Sequence, residues 1–309
     1  MKKRPSARRR AERRPSLDIH LGDNLEVLAG FDDASFDLIY IDPPFNTGRI
    51  QRRESTRSVR DAEGKHRGFS GTRYKTIRLG SQAFADRFDD YLAFLEPRLV
   101  AAHRLLTPTG SFFLHLDYRE VHYAKVLCDA IFGRASFVNE IVWAYDYGAR
   151  TTKRWSPKHD NILWYAKDPA RATFRYDEID RIPYMAPGLV GELKAARGKT
   201  PTDTWWNTIV SPTGKEKTGY PTQKPLAILE RIVRVHSKSG DRLLDFFAGS
   251  GSFGAAALRH GRDCVLVDHN PEAMAVMARR LAAVGPSFHG WKAPSARRKS
   301  AGGREITDG

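Results

Sequence analysis

A chain of 309 residues with a formal charge of +15 has room for one large α/β domain plus an inserted subdomain, and it points to a polyanionic partner. Its two cysteines, Cys128 and Cys264, lack CxxC spacing, which excludes structural zinc or a disulfide framework and suits a reduced cytosolic protein. No apolar segment follows the charged N-terminus and no run of ~18 apolar residues occurs, so neither secretion nor a membrane span is expected.

Residues 1–16 read as a disordered basic arm; residues 1–14 hold eight Lys or Arg against one Glu. Leu17–Leu21 is a predicted strand that runs into Gly22 and Asp23, and Phe36–Ile41 is a second, more apolar one. The second strand ends in Asp42-Pro43-Pro44-Phe45. Open parallel sheets place their ligand crevice at the C-terminal ends of the strands. Two prolines stiffen the turn, so a carboxylate, the bare Pro43 carbonyl and an aromatic face stand in a fixed relation. That set can hold a planar ring bearing an exocyclic amine, with the ring on Phe45 and the amine protons on Asp42 and the Pro43 carbonyl. The plainer alternative is a proline-rich turn that only ends a strand.

Asn46 to about Gln82 is a polar stretch, and residues 49–78 hold ten Lys or Arg, among them Arg49, Arg52 and Arg53, against three acids. Its length suits a flexible basic loop (residues 46–82) that clamps nucleic acid, or a merely tolerated insertion. Helices are predicted at about Phe84–Leu106 and Glu120–Phe132, with a strand at Ser111–Leu116 between them. Phe137–Ala144 and Asn161–Lys167 read as antiparallel strands at the sheet edge, and between them lie Arg150, Lys153, Arg154 and Lys158. Residues 145–220 otherwise show weak periodicity and contain Trp205, Trp206, Asn207, Lys215 and Lys217. Such a composition suits reading of base edges and phosphates. The two tryptophans are expected to pack against the main domain.

The last third of the chain opens a second constellation. Arg242–Asp245 and Phe246 form a short strand, followed by Phe247-Ala248-Gly249-Ser250-Gly251 and an Ala-rich helix. Gly249, Gly251 and Gly254 have G-x-G-x-x-G spacing, and Asp268 closes the strand Cys264–Val267 about 19 residues after Gly249, the offset expected of an acid that bonds ribose hydroxyls. After Asp268 only one helix (about Pro271–Val284) and a flexible basic tail (residues 285–309) are expected, so the other strands must come from the N-terminal half. The result is a doubly wound Rossmann-like α/β sheet in circularly permuted order. Residues 17–144 form its catalytic half, 145–220 an edge strand with the inserted target-recognition region, and 221–284 its cofactor half.

These motifs resemble the amino-group DNA methyltransferases that use S-adenosyl-L-methionine, in the permuted arrangement called the beta class. The resemblance rests on Asp42 to Phe45, on Asp245, Phe247, Gly249 and Gly251, on Leu21-Gly22-Asp23, on Gly110 to Asp117, and on Tyr220 to Pro225. Phe246 stands where a proline is usual and Ser252 where a threonine is common. The resemblance implies a base-flipping methyltransferase acting on double-stranded DNA, with Asp42, Pro43, Pro44 and Phe45 catalytic. On the cofactor side it implies that Gly249, Ser250 and Gly251, with Ala248, let backbone approach the methionine part, and that helix-start N–H groups take its carboxylate. Asp245 would face the ammonium, Phe247 the sulfonium, Asp268 the ribose and Asp23 the adenine amine, while Thr222 and Lys224 close the methionine end. A cytoplasmic, nucleoid-associated place is expected; members of this class often form a homodimer, though no interface signature is legible, and a separately acting restriction endonuclease is compatible with a sequence in which no nuclease constellation is evident. No metal-ligand cluster is legible. Asp42 leans the reading toward adenine N6. Cytosine N4, RNA, a protein amide and a non-catalytic DNA-binding role are the alternatives.

Overall fold

The computed structural model describes residues 14–47, 88–148, 150–211 and 213–292, and the backbone of three strands within 49–86. The strands are β1 (Leu17–Leu21), β2 (Phe36–Ile41), β3 (Arg49–Arg60), β4 (His66–Arg67), β5 (Arg73–Asp86), β6 (Leu106–Leu116), β7 (Phe137–Ala144), β8 (His159–Ala166), β9 (Thr204–Trp206), β10 (Arg242–Asp245), β11 (Asp263–Asp268) and β12 (Ser287–His289). The helices are α1 (Asn24–Ala29), α2 (Tyr91–Leu105), α3 (Val121–Phe132), α4 (Glu192–Arg197), α5 (Leu226–His236), α6 (Ser252–Arg259) and α7 (Pro271–Arg280).

One sheet runs in the order β12-β1-β11-β10-β2-β6-β8-β7-β9. From β12 to β6 every neighbouring pair is parallel, and β8 is antiparallel to both β6 and β7. Parallel strands covered on both faces carry apolar residues at successive positions. β2 shows this directly: Leu38 and Tyr40 enter the core formed with α5, α6 and α7, whereas Ile39 and Ile41 enter the one formed with α2 and α3. Each such buried side chain stabilises the fold by roughly 1.5–3 kcal/mol. The chain moves outward from β10 through β11 and in the opposite direction from β2 to β6. The β10–β2 boundary is therefore the switch point, where a doubly wound sheet opens its ligand crevice. The late strands β10 and β11 thus lie between the N-terminal strands β1 and β2, as the motif order predicts.

Several expectations need correction. Residues 46–82 were expected as a loop, but strands β3 and β5 pair antiparallel and, with β4, make a second sheet in the order β3-β5-β4. Thr56, Val59, Tyr74, Thr76 and Ile77 supply the β-branched and aromatic residues that favour pairing over coil. The expected helix from Phe84 begins only at Tyr91, because Asp90 caps it by accepting from Ala93 N at 2.9 Å. The basic tail holds one more strand, β12, beside β1, where His289 stacks on His20 at 4.2 Å and Phe288 packs on Trp291. Residues 1–13 and 293–309 lie outside the described residues, but the end of the arm is tied down, since Asp263 accepts from Ser16 N and Oγ. Trp205 packs as expected, 8% exposed under the Arg231 guanidinium, whereas Trp206 is 78% exposed. Among the described residues no helix is long and apolar enough to cross a membrane.

Candidate active site

β2 delivers its turn at the switch point. Pro43 is buried and Asp42, Pro44 and Phe45 are partly so. Asn46 ends the turn at φ 50°, a left-handed conformation that Asn tolerates. Its side chain then fixes the turn from two sides, donating to Glu120 Oε1 at 2.8 Å and accepting from Phe88 N at 3.1 Å. Asp42 accepts from Lys224 Nζ through both carboxylate oxygens, at 2.7 and 2.6 Å. The same ammonium lies 4.6 Å from the centre of the Phe45 ring. Lys224, expected at the methionine end of a cofactor, is thus held by the Asp42–Phe45 turn: it directly precedes Pro225, the cap of α5, which brings it in from the opposite face.

A buried polar chain lies beneath. The Tyr40 hydroxyl is 2.7 Å from His115 Nδ1, His115 Nε2 is 3.2 Å from Asp160 Oδ2, and the Tyr145 hydroxyl donates to Asp160 Oδ1 at 3.1 Å. The His115 ring packs against Phe45 at 6.0 Å and edge-on against Trp143 at 5.6 Å. Burial works to raise Asp160, but the bond to His115 and the nearby charges of His115 and Lys224 hold it below the usual carboxylate range. Burial, then the charge of Asp42, pushes Tyr40 well up, so its phenol stays protonated. None of these four residues was singled out from the sequence.

The adjoining crevice has a volume of about 430 Å³ and is lined by Asp23, Asp42, Pro44, Thr222, Phe247 and Asp268 among the expected residues. Also lining it are Tyr220, from the segment that carries the resemblance, and Asn24, Phe88, Phe94, Arg98 and Asn270, which sequence reasoning passed over. Asp268 is positioned by backbone, accepting from Gly249 N at 2.7 Å and Asn270 N at 2.9 Å, and burial raises it. Burial likewise pushes Asp245 well up, with the charges of Asp42 and Asp268 adding to the effect against a bond from Phe247 N.

The glycines of the loop turn their bare sides to protein. A Cβ on Gly251, at φ 71°, would fall 2.8 Å from Met277 Cγ, and one on Gly254 2.7 Å from Leu266 Cδ1. Ala248, Ser250 and Gly251 make the turn itself, with Gly251 N donating to Ala248 O at 2.8 Å and Arg280 gripping Ser250 and Ser252 from behind. The loop N–H groups of Phe247, Ala248, Gly249 and Gly251 are therefore already used within the protein.

A model of the DNA methylase family, the N6/N4 methyltransferases, matches residues 36–279. The chain belongs to this DNA methylase family. It is 28% identical to type II methyltransferase M.HpaI of Haemophilus parainfluenzae over 83% of this chain and 71% of that one. It is also 28% identical to DNA adenine methyltransferase YhdJ of Escherichia coli K12, over 84% and 81%. Among solved structures, the M1.HpyAVI–SAM complex superposes with a TM-score of 0.55 at 20% identity, covering 86% of this chain and 98% of that one.

The cations expected to touch DNA are distributed unevenly in this DNA methylase. Arg150, Lys153 and Arg154 are exposed, with Lys158 partly so, on the segment joining β7 to β8, and Arg154 donates to the Tyr118 hydroxyl just beyond β6. Lys215 and Lys217 line a separate groove of about 760 Å³, with Arg259, Arg279 and Arg280 of α6 and α7. Arg49, Arg52 and Arg53 belong to β3, whose side chains lie outside the described residues.

Proposed function

We propose that this DNA methylase moves the methyl group of S-adenosyl-L-methionine to the N6 amine of an adenine flipped out of double-stranded DNA. The observation that carries the reading is Lys224: the Asp42 carboxylate and the Phe45 face already hold a proton-bearing nitrogen between them. A base amine offers the same donors beside a planar ring.

The crevice fits the cofactor's chemistry. Asp23, Asp42 and Asp268 line it, and Asp245 is buried beside it, which suits a molecule with two positive centres. Phe88, Phe94 and Phe247 offer apolar faces to a purine and a sulfonium. Asp268 would take the ribose hydroxyls, Asp23 the purine amine and Asp245 the ammonium, with Thr222 at the rim. When bound, the cofactor supplies an electrophilic methyl group.

The protein's own work is at the amine. An exocyclic amine is a poor nucleophile because its lone pair is delocalised into the ring. Asp42 and the Pro43 carbonyl accept its two protons and draw the nitrogen toward tetrahedral geometry. Both acceptors gain as positive charge grows on that nitrogen, so they favour the transition state over the ground state. Phe45 replaces the stacking lost when the base leaves the duplex. Lys224 must yield its place on Asp42 as the amine arrives. Arg150, Lys153, Arg154, Lys158, Lys215 and Lys217 are the candidate phosphate and base contacts. Asp42 and the likeness to YhdJ favour adenine.

The test incubates the purified chain with methyl-labelled cofactor and unmethylated DNA, then separates the nucleosides. Label in N6-methyldeoxyadenosine supports the proposal. Label in N4-methyldeoxycytidine keeps the family and overturns the base.

A further inference from the structure

Arg98 belongs to none of the motifs and yet lines the crevice, 8% exposed, from α2. Its Nε donates to Asn24 Oδ1 at 2.8 Å and Nη1 to the Phe94 carbonyl at 2.7 Å. Nη2 reaches Asp23 Oδ2 at 3.4 Å, and Cζ lies 3.9 Å over the Phe94 ring. Asn24 in turn donates from Nδ2 to Phe246 O at 3.0 Å, at the base of the glycine turn. Arg98 is therefore a crosspiece that ties α2, the start of α1 and the end of β10 together around Asp23. Burying a guanidinium is costly unless its donors are satisfied, and packing alone would be served by Leu or Met. The fork is needed because two acceptors, Asn24 Oδ1 and Asp23 Oδ2, must be met from one side chain.

The sheet says what Asp23 is being held for. Along the C-terminal edge the order is Asp23 after β1, Asp268 on β11, the glycine turn after β10 and Asp42 after β2. If the methyl end of the cofactor lies at Asp42 and its ribose at Asp268, its purine lies one strand further on, at Asp23. Asp23 Oδ1 caps α1 through Leu25 N at 2.8 Å and Oδ2 faces Arg98, but the side chain remains 51% exposed, so each oxygen keeps a lone pair for a ligand. We infer that Arg98 is a positioning residue that fixes the Asp23 carboxylate to accept the exocyclic amine of the cofactor's adenine. The inference rests on the proposed cofactor.

The test is calorimetric binding of S-adenosyl-L-homocysteine and of S-inosyl-L-homocysteine, whose purine carries a carbonyl in place of the amine. Wild type should favour the adenosyl ligand by roughly tenfold or more, the scale of a hydrogen bond to a charged acceptor. Arg98→Met should bring that ratio close to one, mostly by weakening the adenosyl ligand, and Asp23→Ala should do the same. Arg98→Lys, which keeps the charge but cannot span both acceptors, should behave alike and serves if the Met variant fails to fold. Equal weakening of both ligands, with the ratio kept, would reduce Arg98 to a structural role and overturn the inference. So would a wild-type ratio near one. Wild type that binds neither ligand would instead defeat the cofactor assignment itself, and the inference with it.

Discussion

Asp42 meets a cation through both of its oxygens, so its removal leaves Lys224 without its counter-charge and, on the proposed mechanism, strips the target amine of an acceptor. Asp42→Ala is expected to lower the single-turnover rate by ~10² or more, with DNA affinity little changed. Equal loss in rate and DNA binding would mean that the turn had collapsed. Asp245 gives a pH prediction. Burial raises it, so the folded protein keeps this proton to a higher pH than the unfolded chain does. The stability it contributes is present at low pH and is lost as pH rises through its folded-state range. A bound ammonium reverses the preference, so cofactor affinity should rise with pH while Asp245 titrates, with proton release visible in calorimetry across buffers of different ionisation enthalpy. Affinity that falls with pH would remove Asp245 from the ammonium site. At this scale the sequence speaks where groups are contiguous, as in Asp42 to Phe45. The chain from Tyr40 through His115 to Asp160 was illegible because its members stand 75 and 45 residues apart and meet only across β2, β6 and β8. Lys224 was legible as a site residue but its partner, 182 residues away, was not.

Elements were readable where apolar runs are short and bounded. β1, β2 and β7 have the limits their patterns predict, because each run is closed by polar residues or Gly and Pro. α2 was placed too early because the apolar residues before Asp90 continue a plausible helical spacing, and only the Asp90 cap marks the true start. β12 was missed since three residues in a basic tail carry no periodicity, and only the edge of β1 makes them a strand. The glycine spacing was legible, but its reason lies in packing. Gly254 faces Leu266 so closely that a single Cβ would sit 2.7 Å from Cδ1. Gly254→Val should therefore force α6 away from β11, with a cost of about 1–3 kcal/mol by overpacking. Thermal unfolding would show it together with weaker cofactor binding; unchanged stability would mean that the helix–strand contact is looser than the structure has it.

On the scale of the whole molecule, the order of motifs carried most of the fold. A glycine turn with one strand read after it required the remaining strands of the sheet to come from the N-terminal half, and β10 and β11 do lie between β1 and β2. Charge told that the partner is a polyanion but not where it lies, because exposure is decided by the folded surface. Arg150, Lys153 and Arg154 share one exposed segment. Replacing all three with Gln should flatten the dependence of log Kd for DNA on log salt by roughly 0.9 for each cation that meets a phosphate. An unchanged slope would move the DNA track elsewhere. The central claim is that the Asp42 turn, fed by the adjoining crevice, methylates adenine amines in DNA. The most direct measurement is methylation-detecting sequencing of DNA from a methylation-free host expressing this chain, beside a host expressing Asp42→Ala. The account predicts N6-methyladenine at one recurring motif in the first host and none in the second. N4-methylcytosine, or modification that survives loss of Asp42, would contradict it.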